Sequence, residues 1–260
     1  MNSLYLLFKS NSITIIDLTF KICTSAILSW FILKSIIPYL SIWFIDKPNN
    51  RSSHKTPIPN SGGIVFVAIG ILGITISGSN LGLICIPLSL AGAFDDRYGL
   101  TSFLRYIIQI ITSLLIINNT SLLNLSLPYI PGFIILILLI IFSTAIINFI
   151  NFMDGIDGLV AGCLITIFGA ALFFGYYELT YLIGALIGFL IINWSPAKVF
   201  MGDVGSTFLG AVFVGILFES PSQYDFLGFL LIAFPLLADS FICVLRRLVD
   251  KQNIFTAHRL

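Results

Sequence analysis

Asn148, Asn151, Asp154 and Asp157 follow one another at intervals of three within the stretch Asn148-Phe149-Ile150-Asn151-Phe152-Met153-Asp154-Gly155-Ile156-Asp157-Gly158, in a chain with only twelve acidic residues. A spacing of three puts side chains on one face of a helix, so this stretch predicts a polar stripe ending in two glycines that let backbone approach a ligand closely. Carboxylates in or beside a bilayer are costly unless they are paired, hydrated or metal-bound, which makes them functional suspects. The plainer alternative is a polar seam between packed helices or a wet turn at the membrane surface.

Three further stretches have the residue types for phosphate chemistry. Phe94-Asp95-Asp96-Arg97 sets two carboxylates side by side. Their repulsion favours a proton on one of them or a cation nearby, so the pair suits a base toward phosphate or a share in holding Mg²⁺. Gly202-Asp203-Val204-Gly205-Ser206 is expected to form a tight loop offering one carboxylate and several N–H groups to a metal–phosphate unit. The segment from Asp46 to Gly63 combines Lys47, Arg51, Lys55 and His54 with a proline pair that opens into Gly62-Gly63 before a helix, and free amides at a helix start suit phosphate. Each has an ordinary counterpart: a capping turn, a packed loop and a positive cytoplasmic loop. Phe200 is read first as a packing residue, and Lys34 and Arg105 as snorkelling cations.

The elements that must position these residues are helices in a membrane. Hydrophobic residues make up 58% of the 260 and charged residues 10%, where a soluble domain has about 25%. Mean hydropathy is +1.04. The chain is therefore expected to be all-α and polytopic, with about nine transmembrane helices near 22–45, 62–78, 80–94, 103–118, 129–147, 158–176, 180–193, 207–219 and 226–245. Nine crossings alternate the connections, and the bases sort with them. Lys47, Arg51, Lys55, Arg97, Lys198, Arg246, Arg247, Lys251 and Arg259 fall on one side, which the positive-inside rule makes cytoplasmic. Asp95, Asp96, Asp154, Asp157 and Asp203 fall on that side too, whereas a transporter would spread its ionisable groups to the midplane. The four cysteines lie in apolar runs without CxxC pairing and are expected to be buried thiols. No stretch calls for nucleic acid.

Four ordered motifs resemble the polyprenyl-phosphate N-acetylhexosamine-1-phosphate transferases of glycosyltransferase family 4. They are His-Lys-x-Pro-x-Pro-x-x-Gly-Gly at 54–63, Phe-Asp-Asp at 94–96, Asn-Phe-Met-Asp-Gly-Ile-Asp-Gly-Leu at 151–159, and Asn193 followed by Pro-Ala-Lys-x-Phe-Met-Gly-Asp-Val-Gly-Ser at 196–206. The resemblance implies that undecaprenyl phosphate attacks the β-phosphorus of a UDP-N-acetylhexosamine and releases UMP, with Mg²⁺ (or Mn²⁺) as cofactor. It implies Asp203, with Asp154, as metal ligands, and Asp95 and Asp96 as groups that deprotonate or orient the lipid phosphate. Asn151, Asp154, Asp157 and Asn193 would hold the nucleotide–metal unit, Phe200 would lie under the uracil, and His54 and Lys55 would contact phosphate. The Arg246–His258 segment resembles the sugar-side loop, with His258 as its histidine, in the style of enzymes that start O-antigen or another surface polysaccharide. The implied setting is the bacterial inner membrane with a site facing the cytoplasm, membrane lipids around it and room for a homodimer. Relatives continue past that histidine, so 1–260 is expected to be one transmembrane domain lacking the C-terminal part of the family fold, with an inactive homologue as the alternative. An intramembrane prenyltransferase would also use aspartates at helix ends, but it gives the Gly-Asp-Val-Gly-Ser stretch no role.

Overall fold

A computed structural model describes residues 15–48, 55–120 and 131–250. These form ten α-helices: α1 Ile15–Trp43, α2 Gly63–Ile76, α3 Leu81–Ile84, α4 Ile86–Tyr98, α5 Ser102–Asn119, α6 Gly132–Phe152, α7 Leu159–Phe173, α8 Thr180–Asn193, α9 Asp203–Glu219 and α10 Gln223–Val249. A two-residue antiparallel pair, β1 Ile45–Asp46 with β2 Ile58–Pro59, closes the base of the 47–57 connection. The protein is all-α in the expected sense.

Helix α9 is the axis. Every residue from Val204 to Phe218 is buried, although the helix is only seventeen residues long. Such burial needs neighbours that come close, and the glycines of α9 permit it. A methyl on Gly210 would stand 2.9 Å from the Ile147 Cα of α6, and one on Gly205 would press on Phe66 and the Gly63 Cα of α2. Around α9 stand α2, α4, α5, α6 and α10. A second seam joins α1 to α8. Gly184 and Gly188, one turn apart, face Ile22, Ser25, Ala26 and Ser29, and Ser29 Oγ donates to the Ala185 carbonyl at 2.8 Å. Outward faces carry large exposed apolar residues such as Phe20, Ile42, Phe133, Leu138 and Leu231, as lipid contact requires.

Among the described residues, four helices are long and apolar enough to cross a membrane: 15–43, 102–119, 132–155 and 223–246. The apolar stretches of α2, α7 and α8 are shorter and pack among them, and the polytopic helical fold stands without fixing the number of spans at nine. The stretch near 80–94 is divided at Cys85, where Pro87 in the first turn of α4 cannot continue the hydrogen bonding of α3. Two boundaries also move toward the site. Asp95 and Asp96 belong to the last turn of α4, where a loop was expected, and Asn148 and Asn151 to the last turns of α6, as their spacing of three predicts although the expected span ended at 147. The four cysteines are free, but only Cys85 is fully buried, and Cys23 is exposed on α1.

Candidate active site

The five aspartates expected on one face do meet at one end of the bundle, brought there by three different chain segments. Helix α4 ends in Asp95-Asp96. Helix α6 runs into a 3-10 turn at Met153–Gly155 that carries Asp154, and Gly158 at φ +72 then reverses the chain into α7. Asp203 opens α9. The polar stripe is therefore broken: Asn148 and Asn151 share the α6 face, whereas Asp154 and Asp157 sit on the turn beyond it.

The glycine-rich loops expected to cradle phosphate bond to the protein instead. Gly62 N–H donates to the Phe200 carbonyl and Gly63 N–H to the Met201 carbonyl, both at 2.9 Å, and Phe200 N–H donates to the Pro59 carbonyl at 2.8 Å. At the start of α9, the Asp203 and Val204 amides donate to the two oxygens of Asp96, at 2.8 and 3.4 Å. Ser61 Oγ adds 2.7 Å to Asp96 Oδ2, and Asn60 Nδ2 reaches Oδ1 at 3.4 Å. One carboxylate thus caps α9 and fastens the 60–61 loop to it, the favourable sign of charge for a helix N-terminus. Gly202, at φ +75, makes this possible, because a Cβ there would strike Asp96 and the Ser61 backbone.

Asp95 has different partners. Its Oδ1 accepts from the Leu100 amide at 2.6 Å, and its Oδ2 lies 3.0 Å from an Arg105 nitrogen. The same nitrogen is 3.7 Å from Asp203 Oδ2. Arg105, read from sequence as a snorkelling cation, is the base that links two of the acids. A signal was present: a cation in the first turn of α5 opposes the helix dipole and needs another reason to be there. Asp96 and Asp203 lie beyond the apolar runs. Burial pushes the Asp203 carboxyl up to about 8, a hydrogen bond shared with Asp95 and the charge of Asp96 push the same way, and Arg105 pulls it back. Burial raises Asp96 too, against the hydrogen bonds from Ser61, Asp203 and Val204.

The residues expected to hold a nucleotide divide into two groups. Asn193 is 4% exposed and spends its amide on backbone, accepting from Gly158 N–H at 3.0 Å and donating to the Val199 carbonyl at 2.9 Å. Asp157 Oδ2 accepts from the Ala197 amide at 3.0 Å. These two staple the 153–158 turn to the 194–200 loop. Asn151 accepts from Ser206 Oγ across the α6–α9 contact. Asp154 faces the Gly202 amide and feels the charges of Asp203, Asp96 and Asp157. Phe200 is half-buried, while Lys55 and Lys198 are exposed. His54 and His258 lie outside the described residues. Sequence reasoning missed Ser61, Ser206 and Arg105 as site residues.

No group of three or more histidine, cysteine or acidic side chains among the described residues makes a ready metal cage. Magnesium does not ask for one, since it keeps waters and takes one or two carboxylates plus substrate phosphates. The charges of Asp203 and Asp154 act on each other, and among the described residues Asp203 forms a long ion pair with Arg105, at 3.7 Å. Two hard oxygen donors with little compensating charge fit such an ion.

The glycosyl transferase family 4 model matches residues 77–220. An undecaprenyl-phosphate α-N-acetylglucosaminyl 1-phosphate transferase of Thermotoga maritima is 32% identical over 219 residues, 82% of this chain and 69% of that protein. A phospho-N-acetylmuramoyl-pentapeptide-transferase of Staphylococcus saprophyticus is 32% identical over 218 residues, 69% of this chain and 68% of that one. The Escherichia coli K12 undecaprenyl-phosphate α-N-acetylglucosaminyl 1-phosphate transferase is 34% identical over 204 residues, 69% of this chain and 56% of its own length. The matched stretch holds all five of the aspartates in the helices and turns just described, Asp203 among them, and by this match the chain belongs to glycosyl transferase family 4.

Proposed function

We propose that this chain transfers N-acetylhexosamine 1-phosphate from a UDP-sugar to undecaprenyl phosphate at the cytoplasmic face of the bacterial inner membrane, releasing UMP and starting a lipid-linked surface polysaccharide such as O-antigen. The observation that supports it best is the arrangement of Asp95, Arg105, Asp203 and Asp154 at the end of an apolar bundle, in a chain whose relatives carry transferase names of this kind. An oxygen of the lipid phosphate attacks the β-phosphorus, a new P–O–P linkage forms, and the bond to the UMP phosphate breaks. Positioning and charge neutralisation do most of such work.

Asp203 and Asp154 would hold Mg²⁺. That ion supplies charge neutralisation on the diphosphate. Asp95 takes the acceptor's proton, and Arg105, already against Asp95 and Asp203, turns toward the phosphates. Asp96 does not meet substrate; it holds the start of α9 so that Asp203 points at the site. Asn151, through Ser206, and Asn193 and Asp157, through backbone, fix the turn that carries Asp154. With both glycine loops bonded internally, positive charge for capturing the nucleotide falls to the exposed Lys55 and Lys198, while Arg105 acts on the phosphoryl group as it transfers. The test is UMP release by the purified chain from UDP-N-acetylhexosamines with undecaprenyl phosphate, with and without Mg²⁺. Release that needs both lipid and metal supports the reading, and the best nucleotide names the sugar. Silence with every nucleotide sinks it.

A further inference from the structure

One turn deeper than the acids, Gln109 of α5 and Asn148 of α6 form a reciprocal amide pair. Gln109 Nε2 donates to Asn148 Oδ1 at 3.1 Å, and Asn148 Nδ2 donates to Gln109 Oε1 at 2.8 Å. Asn148 Nδ2 also reaches the Thr144 carbonyl at 2.8 Å, and Gln109 is 4% exposed. Two facing amides with two complementary bonds have one register only, and sliding either helix by a residue would leave buried donors and acceptors unpaired. The pair sits beneath the site on both helices. Gln109 follows Arg105 by four residues on α5, and Asn148 precedes Asn151 by three on α6, so each shares a face with the site residue above it. Asn151 is in turn held by Ser206 of α9, the helix that presents Asp203. Helix α6 is gripped by α9 through one asparagine and by α5 through the other.

We propose that Gln109 and Asn148 are positioning residues that set the axial register of α5 against α6, and thereby hold the Arg105 guanidinium between Asp95 and Asp203. This rests on the transferase reading for its catalytic consequence, but the geometric claim stands apart from it. Neither amide meets substrate, so loss of the pair leaves substrate capture alone and slows the chemical step. The full chain in lipid nanodiscs is assayed with UDP-N-acetylglucosamine, undecaprenyl phosphate and Mg²⁺. Gln109→Leu and Asn148→Leu are each expected to lower kcat about 10-fold or more with KM within about 2-fold. The exchanged pair Gln109→Asn/Asn148→Gln keeps the combined reach and is expected to return kcat to within about 3-fold of the parent. Single variants within about 2-fold of the parent, a loss confined to KM, or an exchanged pair as slow as the singles would overturn the proposal. Gln109→Asn alone replaces any leucine variant that does not fold.

A second readout needs no activity. Thermal midpoints are taken for Arg105→Met, Gln109→Leu and the double variant. If the amide pair holds Arg105 in place, Arg105→Met shifts the midpoint at least about twice as far in the parent as in the Gln109→Leu background. Equal shifts in the two backgrounds overturn it. Should the parent release no UMP at all, the transferase reading fails while this cycle still decides the positioning claim.

Discussion

The acid end of the bundle and the α1–α8 seam are held together by opposite means. At the seam, Gly184 and Gly188 let the backbone of α8 come down on Ser25, Ala26 and Ser29, and close packing does the work with one hydrogen bond from Ser29. At the acid end, five carboxylates gather, held by directed bonds to amides, one serine and one arginine. Close packing contributes stability and tolerates no added volume. The carboxylate cluster costs stability, since burial and mutual repulsion both oppose its charge, and such a cost is what sites for charged substrates carry.

The contrast can be broken from either side. The largest effect is expected for Asp203→Asn, which should cut UMP release by about 10³-fold or more while leaving the thermal midpoint equal to or above the parent's, because a buried like-charge is removed. Activity kept within about 10-fold would take Asp203 out of the machinery. Gly184→Leu is the converse. Overpacking against Ile22 and Ser25 should cost about 3 kcal/mol, read as a drop in the thermal midpoint or loss of folded protein in detergent. A parent-like midpoint would mean that α1 is not seated on α8 as described.

Asp96→Asn should fall between the two. It loses the charged acceptor of the Asp203 and Val204 amides, costs about 1–3 kcal/mol in a denaturation series, and lowers activity through Asp203. An Asp96 variant that is inactive yet fully stable would make Asp96 a catalytic group instead of a cap. The smallest effect concerns pH. Burial lifts Asp203 to about 8, so without a divalent cation its contribution to stability is present below the unfolded carboxylate's value and is lost as pH climbs through about 8. A cation bound there favours the ionised form. The rise in midpoint on adding Mg²⁺ should therefore grow by about 2–4 °C between about pH 6 and about pH 9. A rise that is the same at both ends would remove Asp203 from the metal site.

Much of this was legible in the residues. Composition settles a helical membrane protein, because a chain with 10% charge cannot cover a soluble surface. Charge parity along the chain foretells that Asp95, Asp96, Asp154, Asp157 and Asp203 share one end, since connections alternate sides whatever the packing. Helix boundaries were less legible, as Asp95 and Asn148 show: a polar residue in the last turn of a helix and one in a loop have the same sequence signal.

What sequence by itself determined is which residues bear charge and on which end they gather, because those follow from hydropathy and the direction of the chain. Only the tertiary structure decided what each does. Adjacent Asp95 and Asp96 look alike in sequence, yet one meets Arg105 and the other caps α9. Gly62, Gly63 and the start of α9 look like open phosphate cradles, yet their amides are taken by Phe200, Met201 and Asp96. The reason is physical: a buried amide takes an available acceptor, and whether that acceptor is a ligand or another loop depends on segments far apart in the chain.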